Sequence, residues 1–590
     1  MATTAVDRWL PGLAVARGYR RAWLWPDVRA GIVVTALLIP AGMAYAQVAG
    51  LPAETGLYAT IVPLVVYALA GPSRILVLGP DSALAPIIAV AILPLAAGSE
   101  ERAVALAGLL GILVGVLMML GGILRLGFVT DLLSKPVRVG YLNAIALIVI
   151  VSQLPKLLGF STDADGIWAE LLAFARGVAQ GEAVPAAAAM GLASLAIILV
   201  LKRLRSPVPG VLVAVVLGTV VTAAAGLDDT LPVVGALPQG LPAPALDGLR
   251  WADVASLLAP AAGIALVAFT DSAVLSRSLA ARRGETVSGS AELTGIGVAN
   301  LAGGLLGGFP VSASSSRTPV AEQAGSRTQL TGIVGAALIV AFILVVPGLT
   351  DLLPDTVLAA VVIAAVLSLI DVPALAALWR MNRLDAALSL AATAGVLIVG
   401  VLGGIVVAIV LSLLAFVDRS WRPYRAELGQ VPGLRGYHDL SRYPATGKRL
   451  PGIVLVRFDA PLFFANGEAF NDWIRERVAH AGPHVHHVIL AAEPVTGIDT
   501  TAVDELVELD DYLRTHGVRL VFAEMKDPVV DQLRRYGLAE RFGPDRFWPT
   551  VGAAVDDLTG TLRRDLEGTR WDGPGAEDGT GAPGDDATAG

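Results

Sequence analysis

Apolar runs long enough to cross a bilayer follow one another from Ile32 to Phe416, separated by short polar breaks. A spanning helix needs about 20 predominantly apolar residues, and we count about fourteen such runs, several of them short or interrupted. The 590-residue chain is 55% hydrophobic and only 16% charged, with a mean hydropathy of +0.68. This composition excludes a soluble globular protein and predicts a polytopic α-helical membrane protein.

Several classes of chemistry are excluded by what the sequence lacks. It contains no cysteine, so disulfides, thiolate nucleophiles and cysteine metal sites are all ruled out. All six histidines lie at or after His438, and we interpret His484, His486 and His487 as a solvated loop rather than a metal site. No P-loop of the form GxxxxGKS/T marks an ATP-driven pump. We therefore expect neither an enzyme nor a bound cofactor or metal.

Loops between the predicted spans alternate between basic and acidic. The basic loops carry Arg17, Arg20, Arg21 and Arg29; Arg125, Lys135 and Arg138; Lys202, Arg203 and Arg205; Arg282 and Arg283; Arg380 and Arg383; and Arg419, Arg422 and Arg425. The acidic loops carry Glu100 and Glu101; Asp163 and Asp165; Asp228 and Asp229; and Asp351 and Asp355. Because cytoplasmic loops are the more basic ones, both termini are predicted to be cytoplasmic. The first helix, with no cleavage site after it, directs insertion itself.

One arginine interrupts the apolar region at a costly place. The segment from Gly303 to Gly325 reads GGLLGGFPVSASSSRTPVAEQAG and places Arg317 directly behind a serine cluster. A lone arginine at the centre of a spanning helix costs about 2.5–3.5 kcal/mol, so it needs a partner, and an anion is the first candidate. The alternatives are that its side chain reaches the cytoplasmic interface or pairs with Glu322 or another internal acid.

Two motifs recur in the second half of the membrane region. Asp131-Leu132-Leu133 recurs as Asp351-Leu352-Leu353, with an offset in residue number of 351 − 131 = 220. Gly79-Pro80-Asp81-Ser82 resembles Ser312-Ala313-Ser314-Ser315, with an offset in residue number of 315 − 82 = 233. Seven spans per half is an odd number, so the second half must be inverted relative to the first.

Interrupted segments at matching positions of inverted repeats are the best sequence indication of a transporter site at the membrane midplane. In each half we predict an extended segment, near Ile75 to Leu78 and near Phe309 to Val311, that leads into a half-helix starting inside the membrane. Its free N–H groups and positive dipole end then face an anion at the centre of the protein.

Each candidate side chain also has a structural interpretation. Asp81 and the serine cluster fit helix caps and close packing, and Tyr45 fits packing. Asp271, in contrast, lies in the middle of a predicted span and is a functional candidate by default. The cluster consists of Ser312, Ser314, Ser315 and Ser316.

Three long motifs resemble those of the SulP family of inorganic anion transporters. They are IPAGMAYAQVAGLPAETGLYAT (Ile39 to Thr60), GPDSA from Gly79, and the stretch from Val298 to Gly332. The similarity extends from about residue 20 to about residue 555, because the C-terminal part is similar to the family's cytoplasmic STAS domain. The resemblance implies a fourteen-segment, seven-plus-seven inverted repeat with a core (segments 1 to 4 and 8 to 11) and a gate (5 to 7 and 12 to 14). It also implies an elevator-like movement of the core and a homodimer.

The resemblance also assigns roles to residues by position. The implied substrate site consists of Tyr45, Asp81, Ser82, Ala83, Ser314, Ser315, Ser316 and Arg317. Asp271 falls where cation-coupled members place a carboxylate. Two departures matter: many relatives have Gln in place of Ala41, and many have an uncharged residue in place of Asp81. Because a carboxylate repels an anion unless it is protonated or paired with a cation, we expect H+ or Na+ coupling through Asp81 or Asp271.

These features predict a secondary active transporter of a small inorganic oxyanion in a bacterial plasma membrane, with sulfate the first candidate and bicarbonate the second. The alternatives are a dicarboxylate transporter, a nucleobase permease of the same fold and, from another class, a membrane-tethered regulator acting through its STAS domain. Arg317 beside the serine cluster favours an anion over a neutral base. We expect an anion and the lipid bilayer as partners, and no nucleic acid.

Beyond Arg425 the hydropathy changes, and GIVLVRFDAPLFFA, HHVILAA and GVRLVFAEM alternate with helical patterns typical of a small α/β domain. One helix, Thr501 to Thr515, is predicted to open with a capping box of Thr501 and Asp504. The same turn resembles the STAS turn that carries a phosphorylatable residue in regulatory relatives, which makes Thr500 or Thr501 the acceptor, although capping is the favoured explanation.

We divide the chain into five parts on these grounds. They are a cytoplasmic segment (1–28), a transporter domain (29–420, with repeats 29–226 and 252–418), a linker (421–449), a STAS domain (450–559) and a disordered tail (560–590).

Overall fold

The computed structural model describes residues 11–126, 134–162, 164, 166–204, 206, 208–235, 237, 240–345, 347–421 and 423–560. The predictions that concern Asp131 to Leu133, Asp163, Asp165, Arg205, Arg422 and the tail from residue 561 lie outside these ranges. The chain forms two compact units, a membrane unit and a C-terminal unit, divided between Leu413 and Leu414.

The first half of the membrane unit is a succession of apolar helices. Several begin with the expected signals. Ser99 accepts a hydrogen bond from the Arg102 N–H (3.3 Å) at the start of helix Glu100–Ile123. Pro136 and Pro185 lie in the first turns of helices Lys135–Leu157 and Pro185–Arg203, where an N–H has no helical partner. The helices are α1 (Pro11–Arg17), α2 (Leu24–Val48), α3 (Ala53–Ala70), α4 (Ala85–Ala96), α5 (Glu100–Ile123), α6 (Lys135–Leu157), α7 (Ile167–Gln180), α8 (Pro185–Arg203) and α9 (Gly210–Ala225).

The second half repeats this order. Among its described helices α12 is the shortest, with seven residues, whereas α10 is 32 residues long. The helices are α10 (Trp251–Arg282), α11 (Gly289–Leu305), α12 (Arg317–Gln323), α13 (Leu330–Val345), α14 (Asp355–Val366), α15 (Val372–Met381), α16 (Arg383–Val399) and α17 (Val401–Trp421).

Two helices that the sequence did not predict lie at matching places in the repeats. Helix α7 follows α6, and α15 follows α14. Both expose large apolar side chains, among them Trp168 and Leu172 on α7 and Val372 and Trp379 on α15. When they are set aside, α2–α6 with α8 and α9, and α10–α14 with α16 and α17, form two sets of seven within the described residues. The predicted seven-plus-seven fold is confirmed.

The helices of the membrane unit pack in two groups. The core group contains α2–α5 and α10–α13, and the gate group contains α6, α8, α9, α14 and α16. Within the core group, α5 and α11 touch backbone to backbone: a Cβ on Gly304 would lie 2.4 Å from the Gly108 carbonyl oxygen. Helix α2 also packs against α14 of the gate group, and there Gln47 Nε2 donates a hydrogen bond to Asp355 Oδ1 (2.9 Å).

Two short strands, β1 (Leu78–Gly79) and β2 (Ser312–Ala313), belong to the membrane unit.

The C-terminal unit is built on a six-stranded sheet with the order β4-β3-β5-β6-β7-β8. The strands are β3 (Arg425–Gly429), β4 (His438–Asp439), β5 (Ile453–Phe458), β6 (His487–Ala491), β7 (Arg519–Ala523) and β8 (Phe547–Trp548); β4, β3 and β5 pair antiparallel, and β5 to β8 pair parallel. Helices α18 (Gly467–Ala481), α19 (Thr500–Thr515) and α20 (Asp527–Arg535) pack on one face, and α21 (Val551–Thr559) packs on the other. The predicted α/β domain is therefore present.

The start of α19 differs from the sequence prediction. Asp499, with extended backbone angles (φ −92°, ψ 174°), is the capping residue, and its carboxylate accepts the Ala502 N–H at 2.8 Å. The predicted capping box of Thr501 and Asp504 was wrong, because the helix begins at Thr500 with Asp499 as its cap, which places Thr501 inside the first turn. Thr500 and Thr501 are exposed in the first turn of the helix.

Candidate anion-binding site

A two-stranded antiparallel ladder brings the two broken segments together in the centre of the core group. Strand β1 (Leu78–Gly79) pairs with β2 (Ser312–Ala313), so that Leu78 lies opposite Ala313 and Gly79 lies opposite Ser312. Gly79 and Ser312 are separated by the offset of the predicted repeat (312 − 79 = 233). Equivalent residues pair directly with each other only when the pseudo-two-fold axis passes between the strands, so the ladder lies on the axis of the inverted repeat.

Buried polar side chains hold the second strand in place. Asn300 on α11 donates to the Val311 carbonyl (3.0 Å) and accepts the Val311 N–H (2.8 Å). Ser272 on α10 accepts the Ala313 N–H at 3.0 Å. Since water does not reach these groups, the side chains replace it as hydrogen-bond partners for non-helical backbone at membrane depth.

The first strand is held by residues of the second repeat. Thr318 on α12 accepts the Val77 N–H at 3.1 Å, and Gln329 donates to the carbonyls of Ser73 (2.8 Å) and Leu76 (2.9 Å). The side chains that hold both strands therefore come from the second repeat, and the first repeat holds the second strand through the ladder.

Each half-helix starts with a side-chain acceptor. Asp81 Oδ1 accepts the Ala83 N–H (2.9 Å) ahead of α4, and Ser314 Oγ accepts the Arg317 N–H (3.2 Å) ahead of α12. These bonds lie in the turn that precedes each helix, because the N-cap residues themselves, Leu84 and Ser316, make no side-chain capping bond. Asp81 also lies beside the site, because its carboxylate is within electrostatic range of Arg317.

Arg317 reaches across the axis from the second segment to the first. Its side chain is 3% exposed, and Nη2 donates a hydrogen bond to the Pro80 carbonyl oxygen. Nη1 has no hydrogen-bond partner in the described part of the chain. Glu322 does not pair with Arg317 but lies 3.6 Å from Arg282 and 3.8 Å from Arg283. The guanidinium therefore carries a buried donor that no group of the described residues satisfies.

The other predicted site residues surround this guanidinium unequally. Tyr45 on α2 is 5% exposed, lies beside Ser82 and is within electrostatic range of Arg317. Ala83 is buried. Ser315 and Ser316 are exposed, and the Ser316 hydroxyl lies 3.2 Å from that of Ser314. The serine cluster thus runs from the buried guanidinium to an accessible surface.

Asp271 lies one residue before the Ser272 that supports β2, on the same helix. It is half-buried and within electrostatic range of Asp81 and of Arg138, which belongs to α6 of the gate group. Tyr141, one turn further along α6, is within the same range of Asp271, and its buried hydroxyl has no partner in the described residues. The gate group therefore presents polar groups toward the core carboxylate.

Sequence reasoning missed several residues that build this site. Asn300, Ser272, Gln329 and Tyr141 are polar residues in or beside apolar segments, which is the signal that would have found them. Glu292 on α11 gives the same sequence signal, a polar residue in an apolar segment. Its buried carboxyl accepts hydrogen bonds from the Tyr67 hydroxyl and from Ser73 Oγ.

Comparison with family models assigns both units. Residues 24–392 match the model of the sulfate permease family. The chain belongs to the sulfate permease family. Residues 446–554 match the STAS domain. Sulfate permeases are transporters, so the chain is a multi-pass membrane protein of a transporter family and not an enzyme.

Relatives from bacteria and plants agree with this assignment. The chain is 41% identical over 548 residues to a Mycobacterium tuberculosis protein named "Probable sulfate transporter", covering 93% of this chain and 97% of the relative. It is 32% identical to the Arabidopsis thaliana "Sulfate transporter 4.1, chloroplastic", covering 93% of this chain and 82% of the relative.

Solved structures show the same fold. The murine solute carrier 26 family member A9 in the inward-facing state superposes with a TM-score of 0.87 at 22% identity, covering 95% of this chain and 96% of that one. The transmembrane domain of a cyanobacterial bicarbonate transporter superposes with a TM-score of 0.57 at 24% identity, covering 66% of this chain and 98% of that domain.

Proposed function

We propose that this chain is a secondary active transporter that moves a small inorganic oxyanion across the plasma membrane, with sulfate as the first candidate and bicarbonate as the second. The observation that carries the proposal is the Arg317 guanidinium, which is buried and whose Nη1 has no hydrogen-bond partner among the residues that the structure describes. A buried cation with a free donor is stabilised when an anion completes its hydrogen bonds. The relatives named as sulfate transporters support sulfate as that anion.

Charge at the site supports coupling to a cation. A sulfate (−2) placed beside Arg317 (+1), Asp81 (−1) and Asp271 (−1) gives a formal sum of −3, which Arg138 of the gate group reduces to −2. In a low-dielectric site an excess of this size is strongly unfavourable. Each H+ or Na+ taken up by Asp81 or Asp271 removes one unit, so binding of the anion and of the cation favour each other.

The placement of the site supports an elevator-like movement. Tyr45, Asp81, Asp271 and Arg317 all belong to the core group or to the segments it holds, so a movement of that group carries the site with it. Arg138 and Tyr141 belong to the gate group and stay behind. Such a movement breaks the Gln47–Asp355 hydrogen bond that joins the two groups.

Three further features remain proposals. We propose a homodimer with both termini in the cytoplasm, on the basis of the family resemblance and of the alternating loop charges. We also propose that the transporter domain ends near residue 420 and that the STAS domain extends from 450 to 559. Exposed Thr500 and Thr501 are accessible to a kinase, and phosphate incorporation that is lost in a double Thr→Ala variant tests that role.

Uptake into liposomes tests the proposed function. The purified full-length chain is expected to take up labelled sulfate faster than bicarbonate or fumarate, and an inward H+ or Na+ gradient is expected to accelerate uptake. Indifference to both gradients contradicts the coupling. Arg317→Ala is expected to abolish uptake, whereas Arg327→Ala, which alters an exposed arginine ten residues later, keeps it; normal uptake by Arg317→Ala contradicts the anion site.

A further inference from the structure

Arg317 rests on the backbone of the other repeat. A Cβ added to Gly79 would lie 3.3 Å from Nη1 and 3.7 Å from both Cζ and Nη2 of Arg317. The guanidinium therefore lies over the one residue of β1 that faces it without a side chain. At the next residue, the Pro80 carbonyl accepts the hydrogen bond from Nη2.

Glycine is needed at this position for space and not for backbone freedom. Gly79 does not have a positive φ, and it pairs with Ser312 in the β1–β2 ladder. Any residue can adopt such an extended conformation. The restriction comes from Arg317, since a Cβ at this distance from Nη1 is closer than an ordinary van der Waals contact and requires the guanidinium to move.

These two contacts leave one donor edge of the guanidinium free. Gly79 fixes the plane in which the group lies, and Pro80 occupies Nη2, so that Nη1 is the edge that remains without a partner in the described residues. The ladder in turn fixes Gly79 and Pro80, because β1 is held by β2. The direction of the free donor is thus set by the first repeat, although the arginine belongs to the second.

We propose that Gly79 and Pro80 are positioning residues that aim the free Nη1 of Arg317 at the transported anion. The inference rests on the proposed anion site. A charge-assisted hydrogen bond loses strength when its donor is misaligned. A methyl group at residue 79 moves the guanidinium by a few tenths of an ångström, and an isopropyl group moves it further, so anion affinity falls in steps from glycine to alanine to valine.

A matched control exists in the same group of helices. Gly121 on α5 has ordinary helical backbone, and a Cβ there would lie 3.7 Å from the nearest atom, Leu293 Cδ1. Gly121→Ala therefore adds the same methyl group to the core group without crowding a neighbour. A general effect of glycine replacement on folding would appear in both variants.

Anion affinity of the purified full-length chain tests the proposal. Sulfate and bicarbonate are both titrated against the wild type, and the tighter anion is used for all variants; a wild type that binds neither contradicts the proposed function itself. Gly79→Ala is expected to raise the apparent KM for uptake by about tenfold with kcat changed less than about twofold, and Gly79→Val raises it further. Gly121→Ala is expected to match the wild type. The thermal midpoint without anion shows that each variant is folded.

A double-mutant cycle separates positioning from packing. In an Arg317→Lys background, which lacks the planar fork, Gly79→Ala is expected to have no further effect on KM. If Gly79→Ala has the wild-type KM while Arg317→Ala loses affinity, the positioning role is wrong and the anion site stands. If Gly79→Ala raises KM equally in both backgrounds, Gly79 acts independently of Arg317 and the proposal is overturned. If Arg317→Ala binds normally, the anion site and this proposal both fall.

Discussion

The two broken segments each place a side-chain acceptor ahead of a half-helix, but they place different charges beside the axis. Asp81 and Ser314 are equivalent residues (314 − 81 = 233), and each accepts a backbone hydrogen bond at the start of its helix. Arg317, however, is equivalent to Leu84 (317 − 84 = 233), which is buried among apolar neighbours. The two acceptors are therefore at equivalent positions, although Asp81 accepts the N–H two residues on and Ser314 the N–H three residues on. The first half supplies the carboxylate, whereas the second half supplies the cation. An anion bound on the axis meets both.

Among the changes that alter this asymmetry, removal of the Arg317 charge is expected to have the largest effect on sulfate binding. Arg317→Ala is expected to weaken sulfate binding by at least about 30-fold, since the loss of one partner of a buried charge pair costs about 2–5 kcal/mol. Isothermal titration of the detergent-purified protein measures it, with Arg327→Ala as the control. An unchanged dissociation constant would show that the asymmetry has no role in binding.

Loss of the two Asn300 hydrogen bonds that hold the second strand is expected to have the next largest effect, on the stability of the fold. Asn300→Leu leaves both the N–H and the C=O of Val311 without a partner, at about 1–3 kcal/mol for each buried group. Thr318→Val leaves only the Val77 N–H of the first strand unpaired. The thermal midpoint is therefore expected to fall about twice as far in Asn300→Leu, and equal shifts would contradict the hydrogen-bond assignment.

Replacement of the carboxylate makes the first segment resemble the second. Asp81→Ser retains a side-chain acceptor for the Ala83 N–H but removes a negative charge, so sulfate binding at neutral pH is expected to tighten by roughly tenfold. Wild-type binding weakens as pH rises, because a deprotonated Asp81 repels the anion, and the variant flattens this dependence. Titrations between pH 5 and pH 8 measure the effect, and an unaltered pH profile excludes Asp81 as the proton site.

The smallest expected effect concerns the turn before α12, where the Ser314 hydroxyl accepts the Arg317 N–H. Ser314→Ala removes the acceptor of the Arg317 N–H, at about 1 kcal/mol of stability, and lowers the thermal midpoint by a few degrees. Ser315→Ala changes an exposed residue of the same cluster and is expected to leave the thermal midpoint unchanged. If the two variants behave alike, the hydrogen bond to Ser314 contributes nothing to the second segment.

Two kinds of feature were predictable from sequence: a charged side chain that is costly to bury in an apolar segment, and a motif that recurs in both halves. A single arginine within apolar residues identified Arg317, and the repeat identified both broken segments. Their pairing in a ladder, with Gly79 opposite Ser312, was not predicted. The supports of the strands were not predictable, because Ser272 bonds a backbone group 41 residues away and its role depends on how α10 packs. The cap of α19 was missed for a different reason: Asp499, Thr500 and Thr501 are all acceptors, and backbone conformation decides among them.

A structure with selenate bound tests the central claim most directly, because selenate has the size and charge of sulfate and its selenium scatters anomalously. The anomalous peak is expected within hydrogen-bond distance of Arg317 Nη1, between the two broken segments and on the side of the guanidinium away from Gly79 and Pro80. A peak elsewhere in the membrane unit, with Nη1 still unpaired, would contradict the account.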